Sequence, residues 1–452
     1  MKRHLLLLFL IFSIKTLFAL EIGGVLDSDL TLYSSDNPHI VTGILSVPEG
    51  VTLNITQGVE LYFQHETYLQ VAGTIRALGS ADNEILMTRQ NEEDFWGGIV
   101  LFDIATDYDQ ETDAGCKFDY CHIQEVHYTV NVTDILYTGW GIASENTSFY
   151  VDHSHAEGSA FFTLFSGAII KNSILERSGY VSLCPNLESS VFQGNEVFNC
   201  GGLLAIIDIP GGIITDNIFH DNAFPTIVLN ITNASSTISN NHFYNNTGAA
   251  VAINGGQNHT ITNNTFESND INFLMRCERT MIFTENCFIS FNDWNIYLDG
   301  GIFEFLPVGG CDCVNFLTPA DIDFSNNYFG ALTDSEIALS IYDADDSISQ
   351  EEPFSAIFSP QSQDANCFET SVENFTSIGN ERQIAYPNPC DNEVYFSSPR
   401  IGESYSLLDV NGKTIKTGQI QRSVNLIDTR ELSEGLYIMR IQNNVTRFVV
   451  KH

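Results

Sequence analysis

The chain has 452 residues, with 57 Asp and Glu against 19 Lys and Arg and a formal net charge of −38. The acidity is uneven: Glu21 to Asn380 holds 7 basic against 49 acidic residues, whereas Glu381 to His452 holds 9 against 8. The long region repels polyanions, which argues against DNA, RNA and strongly anionic glycans as partners.

In chain order, Met1-Lys2-Arg3-His4, the apolar run Leu5 to Ile14 and the small-residue end Leu17-Phe18-Ala19 read as a secretory signal, residues 1–19, interrupted late by Lys15. No later segment approaches the ~20 apolar residues of a membrane-spanning helix. Export permits disulfides among the 10 cysteines. Cys116/Cys121, Cys184/Cys200, Cys277/Cys287 and Cys311/Cys313 are neighbours in sequence, Cys367 and Cys390 stand apart, and connectivity is not deducible. Cys311-Asp312-Cys313 lacks the paired spacing of a zinc site.

Short alternating strands broken by turns follow: Val41 to Leu53 with a break at Pro48-Glu49-Gly50, then Gln57 to Phe63, Leu69 to Ile75 and Phe95 to Ile99. Phe118-Asp119-Tyr120-Cys121-His122-Ile123 reads as the first regular rung of a repeat. In that repeat Asn172, Asn195, Asn217, Asn241, Asn264 and Asn286 recur at intervals of 23, 22, 24, 23 and 22 residues. Two residues after each stands Ile174, Val197, Phe219, Phe243, Phe266 or Phe288. A second register, at Ser182-Leu183-Cys184, Ala205-Ile206-Ile207, Ile227-Val228-Leu229, Val251-Ala252-Ile253, Leu274-Met275-Arg276 and Ile296-Tyr297-Leu298, reads as short strands closed by turn residues. One such unit cannot bury its own apolar side chains, but stacked copies spaced by about 4.8 Å can. The spacing is too short for helix pairs or propeller blades, and no helical apolar period is present.

These registers resemble the pectate-lyase-like right-handed parallel β-helices exported by bacteria. The resemblance implies an all-β fold and a ladder of inward corner amides for the six Asn, which gives them a structural role. The Pro48-Glu49-Gly50 region is similar to the opening turns of such proteins. At the far end Asn327-Tyr328-Phe329 restores the register 41 residues after Asn286, with the stretch around Gly309 to Cys313 looped out. Thr333-Asp334-Ser335-Glu336 forms a capping box that opens a helix through about Ile341. With Tyr342 to Asp346 and Phe358-Ser359-Pro360, that helix resembles a closing cap, which shields strand edges otherwise left unpaired. The β-helix is expected over 20–366 and a linker over 367–380.

From 381 to 452 the chain reads as a compact all-β module, a small sandwich. Tyr386-Pro387-Asn388-Pro389 opens it, Asn411-Gly412 between apolar alternations signals a hairpin, and Glu434-Gly435-Leu436-Tyr437 and the basic strand Arg447 to Lys451 close it. These motifs resemble the C-terminal sorting domain of the type IX secretion system. The resemblance implies passage through that machinery, removal of the domain, and release or attachment to surface lipopolysaccharide.

Candidate chemistry is dispersed. Asp152-His153-Ser154-His155 with Glu157 is the sharpest cluster, since on one strand His153 and His155 would share a face as metal ligands or an acid/base pair. Asp208, His220 and Asp221, with Asp293 and Asp299, are candidate glycosidase carboxylates and partners. Arg276 and Arg279 are candidate cations for an acidic substrate, set against plain ion pairing. No cofactor is expected; Asp343, Asp345 and Asp346, in the expected cap and without EF-hand spacing, are the Ca²⁺ candidates. The motif set of pectin hydrolases is absent. The Asn-x-Ser/Thr triplets at Asn54, Asn131, Asn230 and Asn258 read as by-products of an Asn- and Thr-rich coil. The expectation is a secreted or surface-displayed, non-catalytic scaffold that binds a neutral polysaccharide or adheres, with a polysaccharide lyase or glycoside hydrolase as the alternative.

Overall fold

The structure is a computed structural model that describes residues 19–362 and 385–450 with interruptions, the longest at 300–319. Nearly all of the expected signal segment, the stretch around Gly309 to Cys313 and the whole of the expected linker lie outside the described residues. The chain forms two compact units, Met1–Phe368 and Glu369–His452.

The first unit is a parallel β-helix with three strands to a coil. One face is an 11-stranded parallel sheet with one strand per coil. It includes Phe149–Asp152, Ala168–Lys171, Val191–Gln193, Gly212–Thr215, Ser236–Ser239, His259–Thr262 and Met281–Thr284. The second face carries Cys121–Gln124, His155–Glu157, Ile174–Glu176, Glu196–Phe198, Ile218–His220, His242–Tyr244, Thr265–Glu267 and Cys287–Phe288. The third carries Trp140–Glu145, Ala160–Leu164, Val181–Cys184, Leu204–Ile207, Ala223–Thr232, Thr247–Ile253, Asn269–Arg276 and Phe291–Asp299. The second and third faces join at the N-terminal end, where His39–Val47 pairs with strands of both. Stacking starts well before Phe118, since Leu30–Leu32 already pairs in parallel with Thr52–Thr56.

Period-2 alternation sends one residue of each short strand inward and its neighbours out. On the second face the inward residues are Phe219, Phe243, Phe266 and Phe288, all essentially inaccessible to solvent. Their rings stack with centroids 4.7, 5.3 and 5.2 Å apart, and Phe329 follows at 4.9 Å. Each such ring contributes about 1.5–3 kcal/mol by burial.

The corner between the first and second faces holds the expected amide ladder. Asn195 Nδ2 donates to Asn217 Oδ1 at 3.1 Å, Asn217 to Asn241 at 2.9 Å, Asn241 to Asn264 at 2.9 Å, Asn264 to Asn286 at 3.0 Å and Asn286 to Asn327 at 3.0 Å. Each Nδ2 also donates to a main-chain carbonyl inside the coil, such as Ile214 for Asn241. Asn172 is the exception. It is exposed, and Ser173 takes the ladder place, with its N–H donating to Asn195 Oδ1 at 2.9 Å. Asn172 instead fills the preceding left-handed position, φ 47°, as Asp216, Asn240, Asn263, Glu285 and Asn326 do in later coils. Gly194 fills it with φ 67°, where a Cβ would come within 2.7 Å of Asn172 Oδ1.

A second ladder, not anticipated, turns the corner between the second and third faces. Asn222 donates to Asn246 at 2.9 Å, Asn246 to Asn269 at 2.8 Å, Asn272 to Asn295 at 2.8 Å and Asn295 to Ser340 Oγ at 3.0 Å.

One further expectation changes. Thr333 does close a capping box with Glu336, but the helix runs only Asp334–Ala338, because Ile341–Tyr342 joins the third face beside Phe291–Asp299. Cys116 and Cys121 are both buried thiols and are not bridged to one another. The Cys121 and Cys200 thiols donate to main-chain carbonyls inside the coil. Burial pushes the Cys116 thiol up to about 11.

The second unit contains two antiparallel sheets. Three strands, Ala385–Tyr386, Glu393–Ser397 and Val424–Asp428, form one, and Thr414–Gln419, Ser404–Asp409, Gly435–Ile441 and Asn444–Val450 form the other. The turn at Asn411-Gly412 lies outside the described residues, yet Leu408 and Thr414 pair antiparallel on either side of it. Leu407, Ile427, Met439, Ile441 and Val450 are the core.

Candidate functional site

The first corner separates residues that adjoin in sequence. The strand Phe149–Asp152 ends on the first face, His153 takes the left-handed corner with φ 46°, Ser154 enters the ladder, and His155 opens a strand of the second face. His153 and His155 therefore do not share a strand face. His153 stacks on Tyr120 at 4.7 Å, with Nδ1 2.9 Å from Asp152 and 3.8 Å from Asp119. The Asp119 and Asp152 carboxylates push the imidazole up to about 9. Burial opposes ionisation of Asp152, but contacts from His153, Tyr150 and Asn172 hold its carboxyl below the usual range.

His155 and Glu157 belong instead to a charged ribbon on the second face. Main-chain register sets His122, His155, Ile174, Glu196, Ile218, His242 and Thr265 in one outward column, and Gln124, Glu157, Glu176, Phe198, His220, Tyr244 and Glu267 in the next. At its N-terminal end the His122 and His155 rings stack at 4.3 Å. His122 Nε2 lies 3.1 Å from Glu157 Oε2, and Gln124 Nε2 donates to the same oxygen at 2.7 Å. Arg177, at the next corner, binds both Glu157 and Glu125, while Arg89 and His127 also approach Glu125. The hydrogen bond with His122 is the main cause that brings the Glu157 carboxyl down to about 2, against burial and with help from Gln124 and Arg177.

Farther along, His220 is buried between Phe198 and Tyr244, with ring centroids at 5.1 and 4.7 Å. Its Nδ1 lies 2.7 Å from Asp221 and its Nε2 3.0 Å from Glu196. Burial disfavours the imidazolium, but the two carboxylates outweigh it and raise the pKa. Their positions identify these ionised groups as partners of one another.

The first face differs. From Val191 to Thr284 its outward positions are Val191 and Gln193, Ile213 and Thr215, Thr237 and Ser239, Thr260 and Thr262, and Ile282 and Thr284. No charged side chain is among them, Ile213 is 40% and Ile282 59% exposed, and Ser239 Oγ donates to Thr215 Oγ1 at 3.1 Å. The result is an uncharged strip of hydroxyl, amide and branched apolar groups across five coils.

The remaining candidates are scattered. Asp208, Arg279 and Asp345 lie outside the described residues. Arg276 is half-buried on the third face, its backbone in register with Asp299, and Asp293 is exposed on that strand. Asp343 Oδ2 accepts from the Ala356 N–H at 2.9 Å, and Asp346 is exposed. Sequence reasoning missed His122, Gln124, Glu125, Glu176, Arg177 and Glu196, which only stacking brings together. It also passed over the hydroxyl strip, whose signal is a Ser or Thr two residues before the ladder Asn.

Residues 384–452 match the family described as the secretion system C-terminal sorting domain, and residues 109–288 match the right handed beta helix region. No curated protein matches the chain. Among solved structures the chain is similar to the periplasmic alginate epimerase AlgG, 13% identical over 74% of this chain and 78% of that one, TM-score 0.27. It is also similar to a mutant tailspike protein of E. coli bacteriophage HK620, 12% identical over 90% of this chain and 85% of that one, TM-score 0.27. Its stacked parallel coils and the two matched regions make this chain a right-handed parallel β-helix protein that carries a type IX secretion sorting domain and is exported to the cell surface or the medium.

Proposed function

We propose that the protein is a non-catalytic scaffold whose first face binds a neutral polysaccharide. The observation that carries this reading is the uncharged strip from Val191 to Thr284, set in a region with 49 acidic residues. An acidic chain that keeps five successive coils uncharged on one exposed face offers a surface that does not repel an uncharged polymer. Threonine and serine hydroxyls and the Gln193 amide oxygen hydrogen-bond to sugar hydroxyls, the Gln193 nitrogen being held by Asp216, while Val191, Ile213 and Ile282 cover the apolar faces of the rings. The repeat of about 4.8 Å along the strip presents the same groups again and again, which suits a polymer more than a single small molecule.

The lyase or hydrolase alternative would place its acid and base among the ionised groups of the second face. There Glu125 and Glu157 are bridged by Arg177, and Glu196 and Asp221 by His220, so the carboxylates are neutralised by partners. Export followed by loss of the sorting domain would leave this scaffold either free or attached to surface lipopolysaccharide.

Affinity electrophoresis of the full chain in gels containing neutral polysaccharides tests the reading. Retardation by at least one polymer, abolished in the Thr237→Glu/Thr260→Glu variant, is expected. No retardation by any neutral polymer, or release of new reducing ends or unsaturated uronates, would overturn it.

A further inference from the structure

We propose that His122, His155, Glu157 and Glu176 form a site for one borderline first-row divalent cation, with zinc as the type ion. The proposal concerns the second face and stands or falls independently of polysaccharide binding on the first.

Three consecutive strands supply the donors. Main-chain pairing sets His122 beside His155, and Glu157 beside Glu176, on outward positions of adjoining coils. The donor atoms of His122, His155 and Glu157 all lie within 4.8 Å of one another. Glu176 Oε2 is 3.6 Å from His155 Nε2 and is the candidate fourth ligand. Ligands on a tetrahedral ion at Zn–N and Zn–O distances of about 2.0–2.1 Å stand about 3.3 Å apart. Side-chain rotations would close His122, His155 and Glu157 around an ion, with Glu176 swinging in from the His155 side.

Two observations mark this cluster as a place for an ion. First, His122 Nε2 and Gln124 Nε2 both converge on Glu157 Oε2, at 3.1 and 2.7 Å, so an imidazole nitrogen and a carboxylate oxygen already face one another at close to the spacing of two ligands on one ion. Second, His155 Nε2 is shielded from solvent and has no hydrogen-bond partner. A buried polar atom without a partner is destabilising, and a metal ion would satisfy it.

The surroundings suit a ligand set. Arg177 holds Glu157 through Oε1, leaving Oε2 turned toward the imidazoles, the kind of outer contact that orients a metal-binding carboxylate. Two imidazoles favour zinc, copper or nickel, whereas calcium and magnesium take oxygen donors. The corner group of Asp119, Asp152 and His153 is less suited, because Asp152 already accepts from Tyr150 and Asn172. An ion bound across Cys121–Gln124, His155–Glu157 and Ile174–Glu176 would pin three successive coils.

The test uses the chelator-treated full chain without a polyhistidine tag, titrated with Zn²⁺ against a chromophoric chelator in excess Mg²⁺, which occupies the acidic surface. Co²⁺ absorption reports the geometry. One tight equivalent of Zn²⁺ that survives Mg²⁺, and an intense tetrahedral Co²⁺ band, are expected. His122→Ala and His155→Ala should each weaken binding by at least about 100-fold, beyond what loss of an outer contact costs, while His242→Ala leaves it unchanged. Should either alanine variant fail to fold, His155→Asn and Glu157→Gln are judged by the same criterion. No tight equivalent, displacement by Mg²⁺, or a site that persists without both histidines would overturn the proposal.

Discussion

The first and second faces of the β-helix share one backbone, one core and one corner ladder, yet their outward surfaces have opposite chemistry. The first presents Thr, Ser, Gln and branched apolar residues without charge from Val191 to Thr284. The second presents His122, His155, His220 and His242 among Glu157, Glu176, Glu196 and Glu267, tied together by ion pairs. Parallel stacking sets equivalent positions side by side in both cases. Inward columns must satisfy packing and hydrogen bonding, so they converge on Phe and Asn. Outward columns are free to differ, and it is there that function is written.

The sharpest break between inward and outward comes from neighbours on one strand. Phe243→Ala, inward on the second face, should destabilise the first unit by about 4 kcal/mol, whereas Tyr244→Ala, one residue later and outward, should cost well under half of that in denaturant titrations. Equal costs would mean that the outward stack carries the fold. Next is the ladder: Asn241→Ala takes a partner from the Ile214 carbonyl and from the N–H of Asn217, and leaves Asn217 Nδ2 only the Phe192 carbonyl, a loss of about 3 kcal/mol. Asn172→Ala, at the exposed left-handed corner, should cost about 1 kcal/mol or less, chiefly from backbone strain.

The two faces should also differ in their response to pH. The folded pKa of His220 is raised above 6.5, so its stabilisation is fully present below about pH 6.5 and is lost as pH rises through the raised value. His220→Phe keeps a ring between Phe198 and Tyr244 but should flatten that alkaline slope in thermal melts at fixed ionic strength. An unchanged slope would assign it elsewhere. Smallest is the thiol test. Cys121 and Cys200 should resist a thiol reagent in the folded chain and react fully on unfolding, and rapid native labelling would contradict their burial.

Much of this architecture was legible because repetition magnifies a weak signal. The Asn-x-Phe register located the ladder from Asn195 to Asn327, including the jump of 41 residues past Asn286, and the tail motifs located the sorting domain. The register slipped at Asn172, since Asn suits both the left-handed corner and the ladder place behind it. Doublets such as Asn240-Asn241 and Asn263-Asn264 show the two roles side by side. The second ladder escaped because Asn222 follows Asp221 and Asn246 follows Asn245, a pattern that composition reads as ordinary turn residues. The charged ribbon escaped for a different reason. Arg177 stands 20 residues from Glu157 and 52 from Glu125, and only the pitch of the coil makes them neighbours.

The most direct test of this division of labour is a glycan array probed with the full chain, its Thr237→Glu/Thr260→Glu variant and its Glu176→Gln variant. Binding to a neutral polysaccharide that is lost with the first-face variant and kept with the second-face variant is the predicted result. Binding that survives charge on the first face, or that vanishes with Glu176→Gln, would contradict it.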